Sequence, residues 1–189
     1  MERVGKFEIV SLEQFTKDWI EKFPLSDEER MEGVPLTEVF DAIGSIYVDI
    51  KKPVRSTAGS AGYDIFTPID IELAPGSEIF FPLGIRCKIK PGWCLMIIPR
   101  SGQGTKFRLR LANTVGLIDS DYYNADNEGH IMAKLCNEGD RMFTVEAGKA
   151  IAQAVFVPYG ITEDDDVTDT RTGGFGSTDN TEGNTNEVA

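Results

Sequence analysis

Histidine is nearly absent. His130 is the single one in 189 residues, which excludes any mechanism that needs a histidine pair from one chain. Cysteine is scarce and odd in number: Cys87, Cys94 and Cys136 form no CxxC. That argues against a disulfide framework or a zinc knuckle and makes a reducing cytoplasm the default location. Long hydrophobic runs are missing. Stretches such as Cys94-Leu95-Met96-Ile97-Ile98 fall far short of the roughly 20 apolar residues of a membrane span. The first residues, Met1 to Glu8, contain no apolar core of a secretory signal. Positive charge is outnumbered at both ends. Residues 1–45 hold 5 Lys and Arg against 11 Asp and Glu, and residues 160–189 hold 1 against 8. The body, 46–159, is close to neutral, with 13 against 12. A chain of net charge −12 is disfavoured on extended nucleic acid, although a neutral body can still hold an anionic ligand.

What remains is globular composition, 41% hydrophobic and 26% charged, and enough length for one real core. Three regions separate. Residues 1–45 read as a partly helical extension: Ser11-Leu12-Glu13-Gln14 has the form of a capping box. Leu12, Phe15, Trp19, Ile20 and Phe23 follow at helical spacing, and Pro24 is the stop. A second short helix is expected over 35–43. Residues 46–159 read as short strands with frequent turns. Ile71 to Leu73 and Glu78 to Phe81 flank Pro75-Gly76; Ile85 to Ile89 and Trp93 to Ile98 flank Pro91-Gly92. Lys106 to Leu111 alternates strictly and predicts a half-buried strand. More strands are expected at 130–136, 142–145 and 151–157. This pattern predicts an all-β sandwich, barrel or jelly roll. Residues 160–189 are poor in large apolar side chains, so a flexible C-terminal arm is expected there.

Four stretches carry candidate chemistry. Ala58 to Asp64 is rich in small residues and ends in an acid, and on turn chemistry alone it is a loop entering a strand. Pro99-Arg100-Ser101-Gly102 offers a charged fork, a hydroxyl and an unobstructed amide, which suit phosphate oxygens or an ordinary surface turn. Asn113 to Tyr122 has a hairpin signature in which Asp119 follows an apolar pair. Partial desolvation would make it a better base than a free surface Asp; otherwise it is a turn Asp. Gly173 to Thr178 places one Phe among glycines and hydroxyls, a loop able to wrap phosphate and stack on a base. His130 reads as structural or exposed, the cysteines as small hydrophobes in strands, and the acidic run 163–166 as a solvated hinge.

Taken in order, these pieces resemble the homotrimeric deoxyuridine triphosphatase (dUTPase) family over residues 46 to about 179. The matching strings are AGYD at 61–64, PRSG at 99–102, NTVGLIDSDY at 113–122, GKAIAQ at 148–153 and RTGGFGST at 171–178. The resemblance implies a jelly-roll β-barrel and a homotrimer with active sites shared between subunits. It implies hydrolysis of dUTP to dUMP and pyrophosphate, with Mg²⁺ held mainly by the triphosphate and water. Asp119 would be the base that activates water. Arg100, Ser101 and Gly102 would bind phosphate oxygens, and Gln153 would add a polar contact near them. Asn113, Leu117 and Ile118 would read the uracil edge, Met132 would line the base pocket, and Tyr122 would press on the deoxyribose. Arg171, Phe175, Gly176 and Ser177 would come from the arm, which closes over a neighbouring subunit's substrate, while Asp64 would support the site. It implies no direct contact with nucleic acid or membrane. The chain departs from the family's pattern at Ala150, where an Arg is usual, leaving the adjacent Lys149 as a substitute charge. Residues 124–128 add length after Tyr122. The other readings are a deoxycytidine triphosphate deaminase of the same fold and a nucleotide-gated regulatory binding module.

Overall fold

The computed structural model describes residues 2–28, 33–169, 171 and 173. Eleven strands are all paired antiparallel among these residues. They are β1 (Gly5–Ile9), β2 (Tyr63–Phe66), β3 (Ile71–Leu73), β4 (Glu78–Pro82), β5 (Ile85–Ile89), β6 (Trp93–Pro99), β7 (Leu109–Leu111), β8 (Gly116–Ile118), β9 (Met132–Asn137), β10 (Phe143–Val145) and β11 (Ala150–Pro158). They form sheets in the orders β2-β11-β6-β8, β4-β9-β7, β1-β5 and β10-β3. This is the all-β class that the strand spacing predicts, and the jelly-roll barrel that the family resemblance implies. Alternate side chains of the strands turn inward. Ile65, Phe81, Ile85, Leu95, Leu135, Phe143 and Ile151 thereby build one continuous core.

The segment before residue 46 is more than helix. β1 pairs residue for residue with β5, from Gly5↔Ile89 to Ile9↔Ile85. Helices α1 (Leu12–Lys22) and α2 (Leu36–Val48) follow it. They pack on a second, smaller core of Val10, Phe15 and Ile43, with Trp19, Val39, Ile46 and Tyr47 around it. Half of the expected capping box is present: Ser11 Oγ accepts from the Gln14 amide at 3.1 Å. The Gln14 side chain does not return the bond. It turns inward to Asp18 (2.8 Å), and Glu128 takes the Ser11 amide instead (2.9 Å). α2 runs five residues past the expected end.

One expected strand is a helix over part of its length. Residues Ser101–Phe107 form α3, which Arg108 closes in the left-handed region (φ 52°), and the alternation becomes a strand only at β7. Tertiary packing overrides the local pattern here: the Phe107 ring meets Phe143 edge-on at 5.3 Å. The three cysteines lie on β5, β6 and β9. Burial pushes the Cys87 thiol up to about 12, which leaves it inert as a nucleophile.

A polar cluster ties β1 to the turn after β8. Tyr123 donates to Glu8 (2.5 Å), and Arg86 donates to Tyr123 (2.6 Å) with its guanidinium 4.1 Å from the ring centre. Hydrogen bonds from Lys6 and Tyr123 hold the Glu8 carboxyl down at about 2. A carboxyl depressed in the folded state stabilises the fold above its unfolded pKa and ceases to do so as pH falls through the folded value. The difference in melting temperature between the native chain and Glu8→Gln is therefore expected to shrink as pH falls from about 5 to about 2. A difference independent of pH over that window would contradict the assignment.

Candidate active site

The first group of candidate residues gathers where β6 ends, against β2 and β11. Asp64, on β2, is buried but for 9% of its surface. It accepts from Ser56 Oγ (3.1 Å) and Gln153 Nε2 (3.2 Å), and Arg100 Nε lies 3.4 Å from it. A carboxylate that would be costly to bury alone is thus satisfied from three sides. Arg100 also donates to the carbonyl of Ala150 (3.2 Å), which accepts from Gln103 Nε2 as well (2.9 Å). The guanidinium is oriented rather than free. Gly62 belongs to the same packing, because a Cβ there would lie 3.3 Å from the Gln153 amide. Ser101 and Gly102 open α3 and are exposed, with amides in the helix's first turn that have no intrahelical acceptor. The Lys149 side chain is 65% exposed, and its ammonium sits 4.0 Å from Glu146.

The second group surrounds a cavity of about 290 Å³ beside β8 and β9. Asn113, Leu117, Ile118 and Met132 all line it, together with Phe80 and Ile97. Apolar walls with few polar groups at the mouth are the usual makeup of a small-molecule pocket. Gly116 allows the close approach of β8 to β6, since a Cβ there would stand 3.3 Å from Ile97.

Asp119 follows β8 directly. Ile118 is buried, and the alternation of the strand sends the next side chain outward. The Asp119 side chain is half-buried, 44% exposed. Its surroundings are ionic: Arg171 donates to Asp119 Oδ2 at 3.1 Å and lies 3.7 Å from Asp121. The same guanidinium stands 5.4 Å from the centre of the Tyr122 ring. Tyr122 lies in a 3-10 turn (Asp121–Asn124), 3% exposed, with its hydroxyl donating to the His130 carbonyl at 2.9 Å. Gly129 (φ 67°) makes room for this turn; a Cβ there would stand 2.5 Å from the Tyr122 carbonyl oxygen.

The two groups are far apart within one chain. Ile118 pairs with Leu95 and Gly116 with Ile97, so Asp119 comes level with Cys94. Burial, and then the Asp119 charge, push the Cys94 thiol up, in keeping with that proximity. Arg100 lies six residues further along, from 94 to 100. At about 3.3 Å per residue that is roughly 20 Å. Phe175, Gly176 and Ser177 lie outside the described residues. Sequence reasoning missed Gln103, Ser56, Phe80 and Asp121. Gln103 alone had a signal, because it stands three residues after Arg100 at helical spacing.

A family model described as dUTPase matches residues 49–179. The deoxyuridine 5'-triphosphate nucleotidohydrolase of Shigella sonnei is 42% identical over 132 residues, covering 66% of this chain and 84% of that one. The enzyme of the same name from Lactococcus lactis is 41% identical, covering 68% and 88%. Among solved structures, the dUTPase of Streptococcus mutans superposes with a TM-score of 0.58 at 30% identity, over 83% of this chain and 98% of that one. The five strings read from the sequence all fall within the matched span, and the chain belongs to the dUTPase family.

Proposed function

We propose that this chain hydrolyses dUTP to dUMP and pyrophosphate by attack of water on the α-phosphorus. The observation that carries the reading is the apolar cavity with Asn113 at its rim and Asp119 immediately beyond β8. A pyrimidine held there by Asn113, Leu117, Ile118 and Met132 would present its sugar toward Tyr122 and its α-phosphate toward the carboxylate. Asp119 Oδ2 is bonded to Arg171, so Oδ1 is the oxygen available to accept the proton of the attacking water. Phosphoryl transfer leaves little covalent work to the protein; positioning and charge stabilisation carry the rate. Arg100, Ser101 and Gly102 supply donors for the phosphate oxygens, and Asp64, Gln153 and the Ala150 carbonyl hold Arg100 in place.

A separation of about 20 Å between Asp119 and Arg100 is too great for one α-phosphate. It supports an assembly in which one subunit provides the nucleoside pocket and base and its neighbour the phosphate donors, as expected for a homotrimer. Phe175, Gly176 and Ser177 would be brought by the arm. Among the described residues no group of three or more His, Cys, Asp or Glu side chains could hold a metal ion. These residues do not make a Mg²⁺ site by themselves. The ion would arrive as the Mg²⁺–dUTP complex, with substrate oxygens and water as ligands. No described helix is long and apolar enough to cross a membrane, and we place the enzyme in the cytoplasm.

Pyrophosphate release measured with dUTP, dTTP, dCTP and UTP tests the reading. Release from dUTP alone is expected, whereas ammonia from dCTP would overturn it. Sugar selection has its own test. With Tyr122 as a wall against the 2′-hydroxyl, Tyr122→Ala is expected to raise the specificity constant for UTP relative to dUTP by about tenfold or more. An unchanged ratio would remove Tyr122 from the sugar pocket.

A further inference from the structure

Helix α1 buries a polar stripe, which an ordinary packing helix avoids. Gln14 and Asp18 are 7% and 5% exposed. Burial works against the Asp18 charge, but hydrogen bonds from His130 and Gln14 outweigh it and hold the carboxyl below its usual value. His130 is wholly buried. Its Nε2 accepts from the Gly84 amide at 2.8 Å, so its one proton sits on Nδ1 and goes to Asp18 Oδ2 at 2.6 Å. The ring is therefore pinned at both nitrogens, by α1 on one side and by the chain between β4 and β5 on the other.

That ring stands at the junction of the nucleoside site. The His130 carbonyl accepts the Tyr122 hydroxyl. Two residues later β9 begins with Met132, a wall of the cavity. Helix α1 reaches that wall as well. A second cavity, of about 240 Å³, is lined by Gln14, Asp18 and Lys22 of α1 together with Phe80 and Met132, and Lys22 Nζ sits 4.7 Å from the Phe80 ring centre. Residues 124–128, the added length after Tyr122, close the arrangement. Asn127 donates to the Tyr122 hydroxyl (2.9 Å), and Glu128 accepts from Ser11 Oγ (2.6 Å).

We infer that the helical insert between β1 and β2 is a specificity element, in which Asp18 acts through His130 as a positioning residue for Tyr122 and so for exclusion of a 2′-hydroxyl. The inference rests on the reading of Tyr122 as the sugar wall. Asp18 touches no substrate; it fixes the imidazole, the imidazole fixes its own backbone carbonyl, and the carbonyl fixes the tyrosine. Loss of any one link lets the ring move by the small distance that separates a hydrogen from a hydroxyl. A helix that only stabilised the barrel would have no need to bury a carboxylate against the residue that holds Tyr122, when an apolar side chain would serve.

The test is the ratio of specificity constants for dUTP and UTP, measured with thermal unfolding, for Asp18→Ala, Asp18→Asn, Tyr122→Phe and the double variant Asp18→Ala/Tyr122→Phe. Asp18→Ala and Tyr122→Phe are each expected to lower the preference for dUTP roughly fivefold, the scale of one lost hydrogen bond. The double variant is expected to fall no further than the lower single one, because both cut the same chain. Asp18→Asn keeps an acceptor for Nδ1–H and is expected to retain most of the preference. A folded Asp18→Ala with the native ratio, or losses that multiply in the double variant, would overturn the inference. If Asp18→Ala does not unfold cooperatively, Tyr122→Phe decides, and an unchanged ratio in it overturns the inference. A native ratio in Tyr122→Ala would instead remove the sugar-wall reading itself, so the two failures are distinguishable.

Discussion

Asp119→Asn is expected to lower turnover of dUTP by roughly 10²–10⁴-fold, the usual contribution of a positioned general base. Binding of dUTP should survive. The cavity walls Leu117, Ile118 and Met132 and the rim residue Asn113 are untouched, and asparagine keeps an oxygen that can accept from Arg171. The loss should therefore appear in kcat and leave KM almost unchanged, the signature of an interaction made only in the transition state. Turnover within a few-fold of the native value would remove Asp119 from the chemistry. The carboxylate would then be a partner for Arg171 and nothing more.

Deletion of residues 169–189 is expected to cost turnover on the order of 10²–10³-fold, the scale of losing a donor aimed at developing charge. All eleven strands lie before residue 159, so the shortened chain should fold and assemble as the full one does. The deletion removes Arg171 and its bond to Asp119, together with Phe175, Gly176 and Ser177. Stacking of an aromatic ring on a base contributes about 1–3 kcal/mol. That is enough to favour a closed arm over bound nucleotide and too little to hold it closed without one. Affinity for dUTP should fall less than turnover, because the cavity remains. Full turnover in the shortened chain would show that the arm takes no part.

The barrel was legible in the sequence because its strands are bounded by the glycines and prolines that turns require. Ile85 to Ile89 and Trp93 to Ile98, split by Pro91-Gly92, reappear as β5 and β6 nearly to the residue. Legibility failed where long-range pairing decides. The alternation Lys6-Phe7-Glu8-Ile9 has the right period for a strand, but five residues with two charges and a glycine become one only because β5 offers its edge. Residues 106 and 107 alternate with their successors and yet belong to α3, because Phe107 is held by Phe143.

The site divided in the same way. Five short strings in order identified the family. What each side chain touches depended on partners distant in sequence, such as Arg171 for Asp119 and Asp18 for His130. The ionic setting of Asp119 could not be read from its apolar neighbours, since the guanidinium that bonds it lies 52 residues away. The lone histidine carried no pattern at all. Its two ring partners lie 46 and 112 residues away.

In the proposed assembly each active site takes its base from one subunit and its phosphate donors from another. Co-refolding of two inactive variants, Arg100→Ala and Asp119→Asn, in equal amounts tests it most directly. With random assembly into closed rings, a site is intact when an Asp119→Asn subunit supplies Arg100 and its neighbour, an Arg100→Ala subunit, supplies Asp119. That condition holds for about a quarter of sites, and about a quarter of native turnover is expected in the mixture. Turnover no greater than the sum of the two variants measured separately would show that both residues act from the same chain, or that one of them does not act, and would contradict it.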